Sequence, residues 1–104
     1  MIALTPAETV AVREILKRHL PPGVEVFVFG SRAGGRVRRM SDLDLLLHGA
    51  GPLPSPLLTD LAEEFEESDL CWKVDLVDRA AISPDFARIV DRTKVPFPLE
   101  EESA

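Results

Sequence analysis

The chain has a single cysteine, Cys71, and two histidines, His19 and His48. One thiol cannot close an intramolecular disulfide, and no cysteine-based zinc site can be assembled. Cys71 reads as a small buried apolar residue. The histidines fall on a helix and at a strand end, without ligand-spaced companions, and read as structural or surface groups. Long apolar runs are missing too. Charges interrupt every one, so no transmembrane helix is expected. The first residues carry no basic segment ahead of an apolar stretch, so no secretory signal is expected. Cytoplasmic placement is therefore expected. Positive charge is scarce: 12 Lys and Arg stand against 18 Asp and Glu, a net charge of −6. That argues against non-specific binding to nucleic acid, which needs cations against phosphates. A membrane partner is not expected either.

What the chain does have is length for one modest core, 104 residues, and the composition of an ordinary globule. One domain is expected over residues 1–99, followed by a disordered acidic tail from Glu100 to Ala104. Thr5-Pro6-Ala7-Glu8 opens a helix with a cap, a proline and a capping-box glutamate. Val12, Ile15, Leu16, His19 and Leu20 recur at helical spacing, and Pro21-Pro22-Gly23 ends the element. Val24 to Phe29 is β-branched and aromatic and reads as a strand. Ser31 is placed to cap a short helix through about Arg36. Asp42 to Leu47 reads as a second, mostly buried strand. Ser55-Pro56 starts a helix with Leu57, Leu58, Leu61, Ala62 and Phe65 inward, and Glu63, Glu64, Glu66 and Glu67 solvated. Trp72 to Val77 is a third strand. Ser83-Pro84-Asp85 begins a last helix with Phe86, Ile89 and Val90 facing inward. Val95-Pro96-Phe97 suits a sheet edge, where proline is tolerated. Trp72 and the phenylalanines read as core rather than as base-stacking groups.

The chemistry is concentrated in Gly30-Ser31, ten residues, and Asp42-Leu43-Asp44. The connection from Gly30 to Ser41 is short for a parallel crossover, so the first two strands are expected antiparallel. Topology then sets the Gly-Ser turn beside the two carboxylates. Asp42 and Asp44 are two apart and share a face. Carboxylates held together at the head of a buried strand repel and lose hydration unless a cation joins them. Mg²⁺ takes oxygen ligands from one or two carboxylates plus substrate phosphates. The helix from Ser55 to Leu70 is long enough for a right-handed parallel crossover into strand three. Asp75 then lies near the pair if the strands are in register, where it can touch a metal or take a proton from a hydroxyl. Lys73 shares its face. Gly30 permits close backbone approach to a phosphate, and Ser31 adds a hydroxyl at a helix start. Arg32, Arg36, Arg38 and Arg39 cluster between the two halves, which suits a small polyphosphate. Each half of the motif is weak alone. Together with a third aspartate on a later strand they point to metal-dependent chemistry on a nucleoside triphosphate.

Gly30-Ser31, ten residues, Asp42-Leu43-Asp44 resembles the signature of the DNA polymerase β-type nucleotidyltransferase superfamily. Size and element order resemble its minimal nucleotidyltransferase (MNT) branch, over nearly the whole chain to about Phe97. The resemblance implies an α/β (α+β) fold: a mixed central sheet of three to four strands flanked by helices. It also implies ATP or another NTP as substrate and two Mg²⁺ ions. By position, Gly30 and Ser31 would hold the β- and γ-phosphates. Asp42 and Asp44 would ligate the metals, and Asp75 would be the third carboxylate and base. Members often read Gly-Ser-x-Ala-Arg-Gly, whereas Gly34 stands here at the arginine's place, so Arg32 or Arg36 would substitute as nucleotide-binding residues.

Many minimal members pair with a helical HEPN-domain protein. The MNT chain is then the antitoxin, and some transfer AMP from ATP to a tyrosine of the toxin. The chain shows no counterpart of the extra domain with which larger members bind an acceptor. The expected function is therefore Mg²⁺-dependent transfer of AMP to a hydroxyl of a HEPN partner in a hetero-oligomer. The alternatives are a non-catalytic nucleotide-binding antitoxin, a small-molecule adenylyltransferase, and a structural domain whose aspartates are surface residues.

Overall fold

A computed structural model of the protein describes residues 4–30 and 42–100. Among the described residues three α-helices, α1 (Pro6–His19), α2 (Ser55–Glu67) and α3 (Pro84–Thr93), accompany four strands. The strands are β1 (Glu25–Phe29), β2 (Leu43–His48), β3 (Val74–Asp78) and β4 (Val95–Pro96), in the sheet order β3-β2-β1-β4. β1 runs antiparallel to β2 and β4, and β2 runs parallel to β3. The expected mixed sheet is thus present, with β4 as the proline-bearing edge. The short helix expected from Ser31 lies outside the described residues, as does most of the expected tail.

The pleat divides the sheet into two faces. Val26, Val28, Leu43, Leu45 and Leu47 share one core cluster with Val12, Ile15 and Leu16 of α1 and Leu61 and Phe65 of α2. Leu46, Ala87 and Val90 are buried but belong to no part of that cluster. Their burial reflects the opposite face, the face of Phe27, Phe29 and Asp44.

The start of α1 is built as its sequence predicts. The Thr5 hydroxyl accepts from the Glu8 N–H at 3.1 Å, and the Thr5 N–H donates to Glu8 Oε1 at 2.9 Å. The other Glu8 oxygen accepts from the Trp72 indole N–H at 3.2 Å. One glutamate therefore caps α1 and ties it to the segment leading into β3. A second clasp joins α1 to α2: Glu64 accepts from Arg18 and faces His19 Nε2 at 2.6 Å. Arg18 first, then His19, hold the Glu64 carboxyl below its usual range. Glu64 is therefore a partnered residue, whereas helical spacing alone put it on the solvated side. Asp78 ends β3, buried, accepting from the Leu53 N–H at 2.9 Å and the Ala80 N–H at 3.0 Å. It caps the 3₁₀ turn Arg79–Ala81 and anchors the loop before α2.

Several expectations are corrected. Cys71 is exposed, because the flanking Leu70 and Trp72 take the inward positions of that bend. Ser55 is the first helical residue rather than the cap of α2, and Pro54 ends the loop without a side-chain cap. Ala62 is exposed on the edge of the apolar face. On α3, Val90 is buried, but Phe86 is 39% and Ile89 61% exposed. The helix is rolled so that Ala87 and Val90 are its buried positions. Arg79 and Lys94 both reach Asp91 at 3.0 Å and hold its carboxyl down to about 2. Lys94 also stands 4.4 Å over the Phe27 ring.

The central strand and the rolled helix make opposite predictions for truncation. Leu45→Ala, at a fully buried position, is expected to cost about 2–5 kcal/mol. Ile89→Ala is expected to stay within about 0.5 kcal/mol. Urea unfolding of both variants checks the pair, and a large loss in the second would return Ile89 to the core.

Candidate active site

β1 ends at Phe29 because Gly30 follows in the left-handed region, with φ of +74°. A side chain is disfavoured there by backbone conformation. It is also blocked by a neighbour: a Cβ on Gly30 would collide with Asp44 Oδ2 and lie 3.3 Å from its Cγ. The turn thus brings bare backbone against a carboxylate.

The ladder does the rest. Phe29 is paired with Asp44 across β1 and β2, and Asp44 with Asp75 across β2 and β3. Residues directly opposite in a ladder project to the same face. Phe29, Asp44 and Asp75 therefore form one row across the sheet. Leu43 and Val74, one step away, turn to the other side, where Leu43 is fully buried and Val74 packs against the core. Asp42 stands just before β2 and is exposed. The Leu43 N–H donates to the Lys73 carbonyl at 2.9 Å, which starts the parallel ladder at this end.

The electrostatics follow from the row. The Asp44 carboxyl is pushed above its usual range, first by burial, then by the charges of Asp75 and Asp42, and by a hydrogen bond with Asp75. One counter-cation is at hand: Lys73 Nζ lies 3.4 Å from Asp75 Oδ1, on a largely exposed side chain. Such an exposed pair contributes little. Among the described residues, three carboxylates face one ammonium. Among the described residues no three His, Cys, Asp or Glu side chains are gathered tightly enough to cage a metal unaided. Two carboxylates completed by phosphate oxygens are the usual surroundings of Mg²⁺ instead.

Of the residues singled out in the sequence, the structure brings Gly30, Asp44 and Asp75 together and places Asp42 beside them. Ser31, Arg32 and Arg36 lie outside the described residues, and so do Arg38 and Arg39. One neighbour of the site went unread. Phe86 meets Phe29 edge-on, with ring centroids 6.1 Å apart and planes at 78°. Helical spacing puts Phe86 on an apolar stripe but does not fix how α3 is rolled.

The raised Asp44 carboxyl has a consequence for stability. A group protonated more readily in the folded state favours folding below its unfolded value of 3.8, and this is lost as pH rises through the folded value. Asp44→Asn is therefore expected to raise the melting temperature at pH 7 in chelator. The gain should shrink as pH falls toward 4. Thermal melts of both proteins across that range check it; a gain independent of pH would assign the strain elsewhere.

Known proteins share both sequence and fold with this chain. The family model described as "Nucleotidyltransferase domain" matches residues 11–98. "Probable protein adenylyltransferase MntA" of Haemophilus influenzae is 37% identical over 97 residues, 93% of this chain and 85% of that protein. A toxin–antitoxin structure with AMP-PNP superposes with a TM-score of 0.71 at 24% identity, covering 89% of this chain and 73% of that one. A complex of tri-AMPylated Shewanella oneidensis HEPN toxin with MNT antitoxin gives 0.65 at 21% identity, covering 86% and 67%. The two structures show the same fold. The chain belongs to the nucleotidyltransferase-domain family and is a homologue of the MntA protein adenylyltransferase.

Proposed function

We propose that the protein is a Mg²⁺-dependent nucleotidyltransferase that moves AMP from ATP to a hydroxyl of a HEPN-domain partner, as the antitoxin of an MNT/HEPN pair. The observation that carries this is the ladder row that sets Asp44 against Asp75, with Gly30 touching Asp44. The MntA relative is named for protein adenylyl transfer. A solved relative of the same fold stands beside an AMPylated HEPN toxin. Residues 1–99 form the transferase domain. No helix among the described residues is long and apolar enough to cross a membrane, and we place the protein in the cytoplasm.

The roles follow from position. Gly30 and Ser31 receive the β- and γ-phosphates, the first through free backbone and the second through its hydroxyl. Arg32 and Arg36 contact the same phosphates. Asp42, Asp44 and Asp75 would hold Mg²⁺, and the donor set fits: all are oxygens, and their mutual repulsion is what a cation relieves. Mg²⁺ bound there supplies positive charge to the phosphates and makes the acceptor hydroxyl more acidic. Asp75 takes the acceptor's proton. The freed oxygen attacks the α-phosphorus in line, the bond to the β-phosphate breaks, and pyrophosphate leaves.

Intact-mass analysis of the HEPN partner tests this. Incubated with the wild-type protein, ATP and Mg²⁺, the partner is expected to gain AMP. Asp44→Asn should reduce transfer to background, and chelator should do the same. Undiminished transfer by the variant, or a stable complex with no added mass, would contradict the proposal.

A further inference from the structure

The chain has six aromatic residues, five Phe and one Trp. Phe65, Trp72 and Phe97 belong to the main core. Phe27 is covered by the Lys94 ammonium. Phe29 and Phe86 remain, and they form a T-shaped pair. Phe29 is the ladder partner of Asp44, so this pair borders the carboxylates on their own face of the sheet. Phe86 is the outer member. Its ring is exposed although it sits on a helix whose neighbouring Ala87 and Val90 are buried.

From this we propose that Phe86, backed by Phe29, is the platform on which the nucleobase of the bound nucleoside triphosphate stacks. The proposal rests on the function given above and adds where the base is held. A T-shaped contact uses the edge of one ring against the face of the other, which leaves ring surface free for a third π-system. Directly paired residues are about 5 Å apart across an antiparallel ladder. Phe86 meets the Phe29 ring at 6.1 Å between centroids, so the ring pair continues the row outward from the carboxylates on that face. Stacking needs no hydrogen-bonding side chain, and every base has a π-face. It therefore suits a site edge where apolar rings are what the fold presents.

The test is calorimetric titration of the full chain, with Mg²⁺, using two probes: α,β-methylene ATP and inorganic tripolyphosphate. Phe86→Ala is expected to weaken the nucleotide about 5- to 150-fold, the loss of one stacked base. Tripolyphosphate, which has no base, should bind unchanged. Phe86→Trp should bind nucleotide as well as wild type, and Phe86→Leu should resemble the alanine variant. Melting temperatures of the variants confirm folding. Equal losses for both probes would show that Phe86 supports the phosphate site, and would overturn the platform. Unchanged nucleotide affinity would also overturn it, and loss of HEPN-partner binding alone would reassign the ring to protein docking. If wild type binds neither probe, the nucleotidyltransferase reading itself fails, and the platform with it.

Discussion

The register between β1, β2 and β3 is the constraint on which the site depends. It aligns Phe29, Asp44 and Asp75 in one row. A slip by one residue would turn Asp44 into the core and Leu43 or Leu45 outward. The hydrophobic cost of that slip is large, because Leu43, Leu45 and Leu47 are all fully buried. Core packing thus enforces an arrangement that is itself unfavourable. Asp44 is partly desolvated and faces two other carboxylates, so its charged form is disfavoured. Energy from apolar burial holds this repulsion in place, ready for a cation to relieve it.

The surrounding elements serve the same register. α1 and α2 cover one face of the sheet, and α3 lies on the other, where Asp44 and Asp75 also project. Glu8 couples the α1 cap to Trp72, just ahead of β3, so that helix and strand are positioned together. Glu64 joins the two helices through Arg18 and His19. Asp78 fixes the far end of β3 to the loop entering α2. On the face of Asp44, Asp91 of α3 is held by Arg79 and Lys94, and Phe86 of the same helix stands beside Phe29.

Much of this is legible in the sequence, for identifiable reasons. Period-two alternation, a proline at the edge and the Thr5–Glu8 spacing are local signals, and they yield the strands, β4 and the α1 cap. The short connection after Gly30 and the long one through α2 decide antiparallel and parallel pairing, so the meeting of Asp44 and Asp75 follows from chain lengths. Residues whose state depends on tertiary rotation escape. Phe86 and Ile89 lie on an apolar stripe, yet α3 buries Ala87 and Val90 instead and turns them outward. Cys71 is apolar in isolation, but Leu70 and Trp72 claim the interior. Glu64 reads as solvated until α1 brings Arg18 and His19 across. The Glu8–Trp72 bond spans 64 positions and has no local trace.

The most direct test of the central claim is paramagnetic broadening of side-chain carboxyl ¹³C resonances by Mn²⁺ substituted for Mg²⁺. With a non-hydrolysable ATP analogue present, Asp42, Asp44 and Asp75 are predicted to broaden together and first, ahead of Asp78 and the glutamates of α2. Broadening centred elsewhere, or Asp44 broadened without Asp75, would contradict the account of the ladder row as the metal and nucleotide site.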